Sequence, residues 1–179
     1  QDKWYQDTME IGYTQLPGGT VMHVVMNSPR SSTNEVAKML LAPDLGFIAP
    51  GTTRSLGGFG GDYWMDWMGN LEVTHPLPGY PFGRAYYGKS TATTFSPTIV
   101  KFIEAQELQK PFSIYTEWLV IQHVDETMMF VVDKDGRPKM IVPSPALAND
   151  VLKTGYDANQ QKAQGFIDDV VATAKTELG

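Results

Sequence analysis

No cysteine occurs among the 179 residues, so this chain alone has no disulfide, no thiolate zinc ligand and no thiol nucleophile. It also lacks an excess of positive charge. The formal net charge is −6, which argues against the basic face of a nucleic-acid binder and is compatible with a cationic substrate. No run approaches the ~18 consecutive apolar residues of a membrane span. The first residues, QDKWYQDTME, lack the apolar core of a signal peptide, so a cytoplasmic location without membrane contact is expected. What is present is ordinary for a globular protein. Hydrophobic residues make up 42% and charged residues 19%, and the length suits one domain with a real core.

Short apolar runs predict strands at Met9 to Tyr13 and Val21 to Met26, separated by the turn LPGGT. STNEVAKMLLAP reads as a short helix, capped by Ser32 or Thr33 and closed by Pro43; GFIA reads as another strand. A glycine- and aromatic-rich loop, GTTRSLGGFGGDYWMDWMGN, leads to strands LEVTH and RAYYG. Ser96 as N-cap and Pro97 at the first helical position open a helix with Ile99, Phe102, Ile103 and Gln106 on one face. The stretch WLVIQHVDETMMFVV, Trp118 to Val132, reads as a buried strand. The Asp135-Gly136 turn pairs it with KMIVPS. A helix close to DANQQKAQGFIDDVVATAKTEL ends the sequence, with Phe166, Val170, Val171 and Ala174 on one stripe. The order strand–strand–helix–strand recurs with variation, which suggests an α/β unit used more than once, the last one unfinished.

Strand periodicity places His123 and Asp125 on one face. A second acidic cluster, Asp7 and Glu10 around Gln6, stands directly before the first strand. Carboxylates from different sides suit a planar cation, because a guanidinium offers forked N–H donors to both. A histidine beside them can pass a proton to a leaving nitrogen. A His-x-Asp on a strand also occurs as a hydrogen-bonded structural pair; spacing alone leaves both readings open.

The blocks WYQDTMEIGYTQLP, NSPR, LLAPDLGFI, GNLEV, YPFGRAYYG, FIEAQELQKP and EWLVIQHVDE resemble, in this order, the catalytic domain of the calcium-dependent protein-arginine deiminases. The likeness runs from Trp4 to about Pro145. It implies an α/β-propeller of ββαβ modules about a pseudo-fivefold axis, here an incomplete propeller of two to three modules. Residues 1–179 would be the N-terminal part of that domain, truncated before the nucleophile cysteine. The implied reaction hydrolyses peptidyl-arginine in a substrate protein to peptidyl-citrulline and ammonia through a thiouronium intermediate. The resemblance makes Asp7 and Asp125 the carboxylates that hold the guanidinium and His123 the general acid. Trp4 would lie along the arginine stem, and Arg30 near the substrate mouth, where a surface ion pair is the alternative. Ser32 replaces a family arginine that contacts the substrate backbone.

The same resemblance implies one calcium ion held by Gln6, Glu10, Glu72 and the carbonyls of Met68 and Leu71, an oxygen-only set suited to a hard cation. Glu10 and Glu72 would otherwise be solvent-facing strand ends. A second calcium site looks eroded: Thr8, Asn27 and Ser31 replace family ligands while Ser28 is kept. Without the cysteine the isolated chain is expected to be inactive. Two alternatives stand beside this reading: a deiminase of a small guanidine such as arginine or agmatine, and a non-catalytic binding module that keeps the pocket.

Overall fold

The computed structural model describes residues 4–29, 34–49, 64–92, 94–152 and 157–179. Strands β1 (Met9–Gln15) and β2 (Val21–Asn27) form an antiparallel hairpin across the LPGGT turn, with Gly12 opposite Val24. Helix α1 (Asn34–Met39) then leads to β3 (Leu45–Ile48), which lies parallel to β2 with Val24 opposite Gly46. The second sheet repeats this plan. Strands β4 (Leu71–Val73) and β5 (Ala85–Lys89) are antiparallel, helix α2 (Pro97–Ala105) follows, and β6 (Phe112–Tyr115) pairs parallel to β5. Both sheets therefore run in spatial order first–second–third strand. A parallel partner needs a crossover, and the helix supplies it.

The third sheet has two strands, the hairpin β7 (Met129–Val132) and β8 (Pro138–Ile141). Helices α3 (Pro145–Leu152) and α4 (Ala158–Leu178) come next, and no third strand joins β8 among the described residues. The architecture is thus mixed α/β with open sheets: two full ββαβ units and the first three elements of another.

The middle sheet carries the core on both faces. On one, Met68, Leu71 and Ala85 pack with Phe95, Ile99 and Ile103 beneath α2. On the other, Tyr86, Phe112 and Ile114 meet Val124, Met128, Val170 and Ala174. Asp157 caps α4, its carboxylate accepting from Gln160 N at 2.8 Å. The buried stripe of α4 is Ile167, Val170 and Ala174; Phe166 instead turns aside and stacks on Trp118 with centroids 5.3 Å apart. Arg84 ties the end of α4 to the sheet. Its buried guanidinium donates to the carbonyls of Lys110 and Glu177 and to Glu177 Oε2 at 3.0 Å, while lying 4.8 Å over the Phe112 ring.

The central sequence expectation fails. The segment from Trp118 to Met128 is no strand: turns and bends lead to His123, and Val124–Glu126 is a 3-10 turn. Its apolar residues are not consecutive along a sheet face. Val124 and Met128 are buried four residues apart, Val120 is 92% exposed, and only from Met129 does the chain extend. His123 and Asp125 converge because they flank a turn, not because a pleat places them on one face.

Candidate active site

Three 3-10 turns build the site, each just ahead of the first strand of a sheet: Tyr5–Thr8 before β1, Met68–Asn70 before β4, and Val124–Glu126 before β7. Two of them are anchored by a fully buried residue at 0% exposure, Met68 in one core cluster and Val124 in the other. The first is fixed at its start, where Asp7 N donates to the Trp4 carbonyl at 3.1 Å.

At the meeting point Asp7, His123 and Asp125 each offer an atom within 4.8 Å of the others. His123 Nδ1 stands 3.5 Å from Asp7 Oδ1, and the imidazole is almost wholly buried. The turn itself is held by His123 N, which donates to Glu126 Oε1 at 3.0 Å. Asp125 keeps an exposed edge, yet the surrounding protein raises its carboxyl to about 6; His123 pulls it down, while Asp7 and Glu126 push it further up. Two carboxylates and an imidazole converging on one small volume can grip a forked cation and exchange a proton with it.

Gly69 is what allows the convergence. A Cβ there would lie 2.5 Å from Asp7 Oδ1, 2.7 Å from Asp125 Oδ2 and 3.0 Å from His123 Nδ1. The next residue, Asn70, is fully buried and joins the second and third turns through Gly88 and Val124. Neither was singled out from the sequence. A Gly-Asn pair before a strand resembles any turn, and only the tertiary contacts give it away.

Behind Asp125 lies a second acidic pair. Burial raises Glu10 to about 8, with Glu72 and then Asp125 adding to the rise against a lowering hydrogen bond from Ile11. Burial likewise raises Glu72 to about 7, with Asp125 adding to it. This concentration of negative charge in a part-buried place suits a hard cation held by oxygens. The carbonyl of Met68 already accepts the Leu71 N–H and retains a lone pair for a ligand. Leu71 heads β4 at 5% exposure. Gln6 has its backbone in the first turn.

Trp4 is 56% exposed at the start of that turn. Arg30, Ser31, Ser32 and most of the GGFGGDYWMDW loop lie outside the described residues. Thr8, Asn27 and Ser28, the described residues expected at a second calcium site, come together. Ser28 N donates to the Thr8 carbonyl at 2.9 Å, Ser28 Oγ to the Asp66 carbonyl at 2.9 Å, and Asn27 Nδ2 to the Ser28 carbonyl at 2.6 Å. Asp66, 2% exposed in this cluster, is a further carboxylate the sequence did not point to.

The protein-arginine deiminase (PAD) family model matches residues 1–178. Human protein-arginine deiminase type-3 is 33% identical over 183 residues, covering 94% of this chain and 26% of that protein. Mouse protein-arginine deiminase type-1 is 31% identical over 192 residues, covering 96% and 28%. Human protein-arginine deiminase type-4 is 35% identical over 156 residues, covering 80% and 23%. The chain belongs to the protein-arginine deiminase family, and it spans about a quarter of the length of these relatives. No helix among the described residues is long and apolar enough to cross a membrane.

Proposed function

We propose that this chain is the N-terminal part of the catalytic domain of a protein-arginine deiminase and carries its guanidinium-holding half. The observation that carries this reading is the convergence of Asp7, His123 and Asp125 within 4.8 Å, from turns that precede two different sheets. In the reading, peptidyl-arginine and water become peptidyl-citrulline and ammonia. The carboxylates of Asp7 and Asp125 receive the guanidinium from two sides. A guanidinium held this way has its central carbon fixed and its leaving nitrogen within reach of the imidazole. His123, whose Nδ1 stands 3.5 Å from Asp7 Oδ1, gives a proton to the departing nitrogen. The thiolate that attacks the guanidinium carbon belongs to a cysteine outside this sequence. By the family resemblance Trp4 would cover the arginine's methylene stem, and Arg30, outside the described residues, would serve the substrate mouth. The two ββαβ units and the partial third are modules of an incomplete propeller.

Calcium fits the Glu10–Glu72 pair. Gln6, Glu10, Glu72 and the carbonyls of Met68 and Leu71 would hold it, and the ion would neutralise the charge behind Asp125. The cluster of Thr8, Asn27, Ser28 and Ser31 would bind a second ion weakly or not at all.

Three measurements test this. Calorimetry with Nα-benzoyl-argininamide is expected to give binding that Asp7→Asn and Asp125→Asn each weaken about tenfold or more; equal affinity for the corresponding citrulline amide would overturn the guanidinium site. Calcium titration is expected to show one site, lost in Glu72→Ala. Two equally tight sites, or indifference to that substitution, would show that the ligands are wrongly assigned. The 179-residue chain itself is expected to form no citrulline, and turnover by the homogeneous protein would demand another nucleophile.

A further inference from the structure

We propose that Asn70 is a positioning residue for the arginine site: its buried side-chain amide fixes where His123 and Asp125 stand by holding the backbone N–H of Val124 between them. The functional half of this statement rests on the reading of the site given above; the structural half does not.

Asn70 is 0% exposed and its amide is used on every side. Oδ1 accepts from Gly88 N at 2.8 Å and from Val124 N at 3.0 Å. Nδ2 donates to the Met65 carbonyl at 3.0 Å and to the Gly88 carbonyl at 3.3 Å. Both groups facing the oxygen are donors and both facing the nitrogen are acceptors, so the orientation of the amide is fixed by its partners. One side chain thus joins the turn that contains Gly69, the strand β5 and the turn that carries His123 and Asp125.

The segment it holds belongs to no sheet, so turn bonds such as His123 N to Glu126 Oε1 and contacts from neighbouring elements fix it. His123 and Asp125 lie outside any strand, and Gln122 before them has a positive φ of 69°. Thr116 Oγ1 fixes the near side, donating to the Gln122 carbonyl at 2.7 Å. Asn70 fixes the far side, at Val124. Residue 88 must be glycine for this to work: a Cβ there would strike Asn70 Oδ1, Thr116 Oγ1 and the Gln122 carbonyl together. Val124 is flanked directly by His123 and Asp125, so a shift of its N–H moves both functional groups. Displacements of about 1 Å at a reacting centre cost about 100-fold in rate. Asn70 touches none of the reacting groups and acts through the backbone.

The test uses the isotopically labelled 179-residue chain. In the wild type, a scalar coupling across the hydrogen bond between Val124 15N and Asn70 13Cγ is expected. In Asn70→Leu, similar in volume and without polar atoms, Val124 amide exchange should accelerate about tenfold relative to Tyr86 and Ile114, the value for one lost hydrogen bond. The His123 imidazole signals should shift in the same variant. In Asn70→Asp, which keeps an acceptor toward both N–H groups, Val124 should stay protected relative to Ile114. Absence of the coupling in the wild type overturns the proposal even if neither variant folds. So does Asn70→Leu with wild-type Val124 exchange and wild-type His123 signals. Titration with Nα-benzoyl-argininamide separates the two readings. If His123 does not respond in the wild type, the arginine site fails, and the Val124 results still decide what Asn70 holds.

Discussion

Substituting Glu72 by glutamine should change how the stability of this protein depends on pH. The folded protein raises Glu10 from 4.5 to about 8 and Glu72 from 4.5 to about 7. A carboxyl whose pKa is higher folded than unfolded binds more protons in the native state. The stability it contributes is therefore complete below pH 4.5 and is lost as pH rises toward 7 to 8. At about 1.4 kcal/mol per pKa unit each group alone would be worth several kcal/mol. Both side chains keep some exposure, however, and part of each rise is shared repulsion, which reduces the pair to about 3 kcal/mol. Without added calcium the melting temperature should fall by about 6–12 °C between pH 5 and pH 8.5, taking 2–4 °C per kcal/mol for this size. Glu72→Gln removes one titration and most of the field at Glu10. Its profile should be flatter and its melting temperature at pH 8.5 above that of the wild type. Urea unfolding at the two pH values checks the free energies directly. A wild-type stability that is flat or rising over this interval would refute the reasoning, because the acidic pair would then not be desolvated as described.

Gly69→Ala puts a methyl group against Asp7, Asp125 and His123; it should cost about 1–3 kcal/mol in urea unfolding and abolish argininamide binding, and unchanged binding would contradict the packing. Gln122→Gly should stabilise the chain by about 0.5–1 kcal/mol, since the left-handed φ of 69° is unstrained only for glycine; destabilisation would mean that the side chain, not the backbone, decides that position. Arg84→Ala should cost about 2–4 kcal/mol, with Arg84→Lys recovering part of it, because it removes a buried guanidinium bonded to the Lys110 and Glu177 carbonyls and loosens the end of α4. Hydrogen exchange at Lys175 to Leu178 should rise in Arg84→Ala well before exchange at Tyr86.

Elements with strong local signals were legible in the sequence. The LPGGT hairpin, the Ser96-Pro97 start of α2, the Asp135-Gly136 turn and the capped C-terminal helix all form where turn chemistry and periodicity place them. Strand β6 was not seen, because FSIY is four residues long and follows directly on Lys110-Pro111. Helix α3 was missed although Ser144-Pro145 repeats the start signal of α2; it buries no residue and so shows no core periodicity. The stretch around His123 misled because hydrophobic density was read as extension. The apolar positions that matter there, Val124 and Met128, are spaced for a turn. Proximity of Asp7 to His123 depends on contacts between residues more than a hundred apart, which only the family resemblance anticipated. Gly69 and Asn70 act through what surrounds them, and no local pattern announces that.

The placement of one functional turn ahead of each sheet has a consequence for the order in which the molecule matures. Each ββαβ unit closes its own strand pairs over a short span of chain, so its sheet can form early and by itself. The functional groups do not share that independence: Asp7 belongs to the first unit, Gly69 and Asn70 to the second, His123 and Asp125 to the third. Bringing them together requires loops to close that no single unit closes. A chain with every sheet formed but its units not yet docked would pass any measure of secondary structure and still lack the cluster of Asp7, His123 and Asp125. The cluster therefore depends on docking of the units rather than on any one of them.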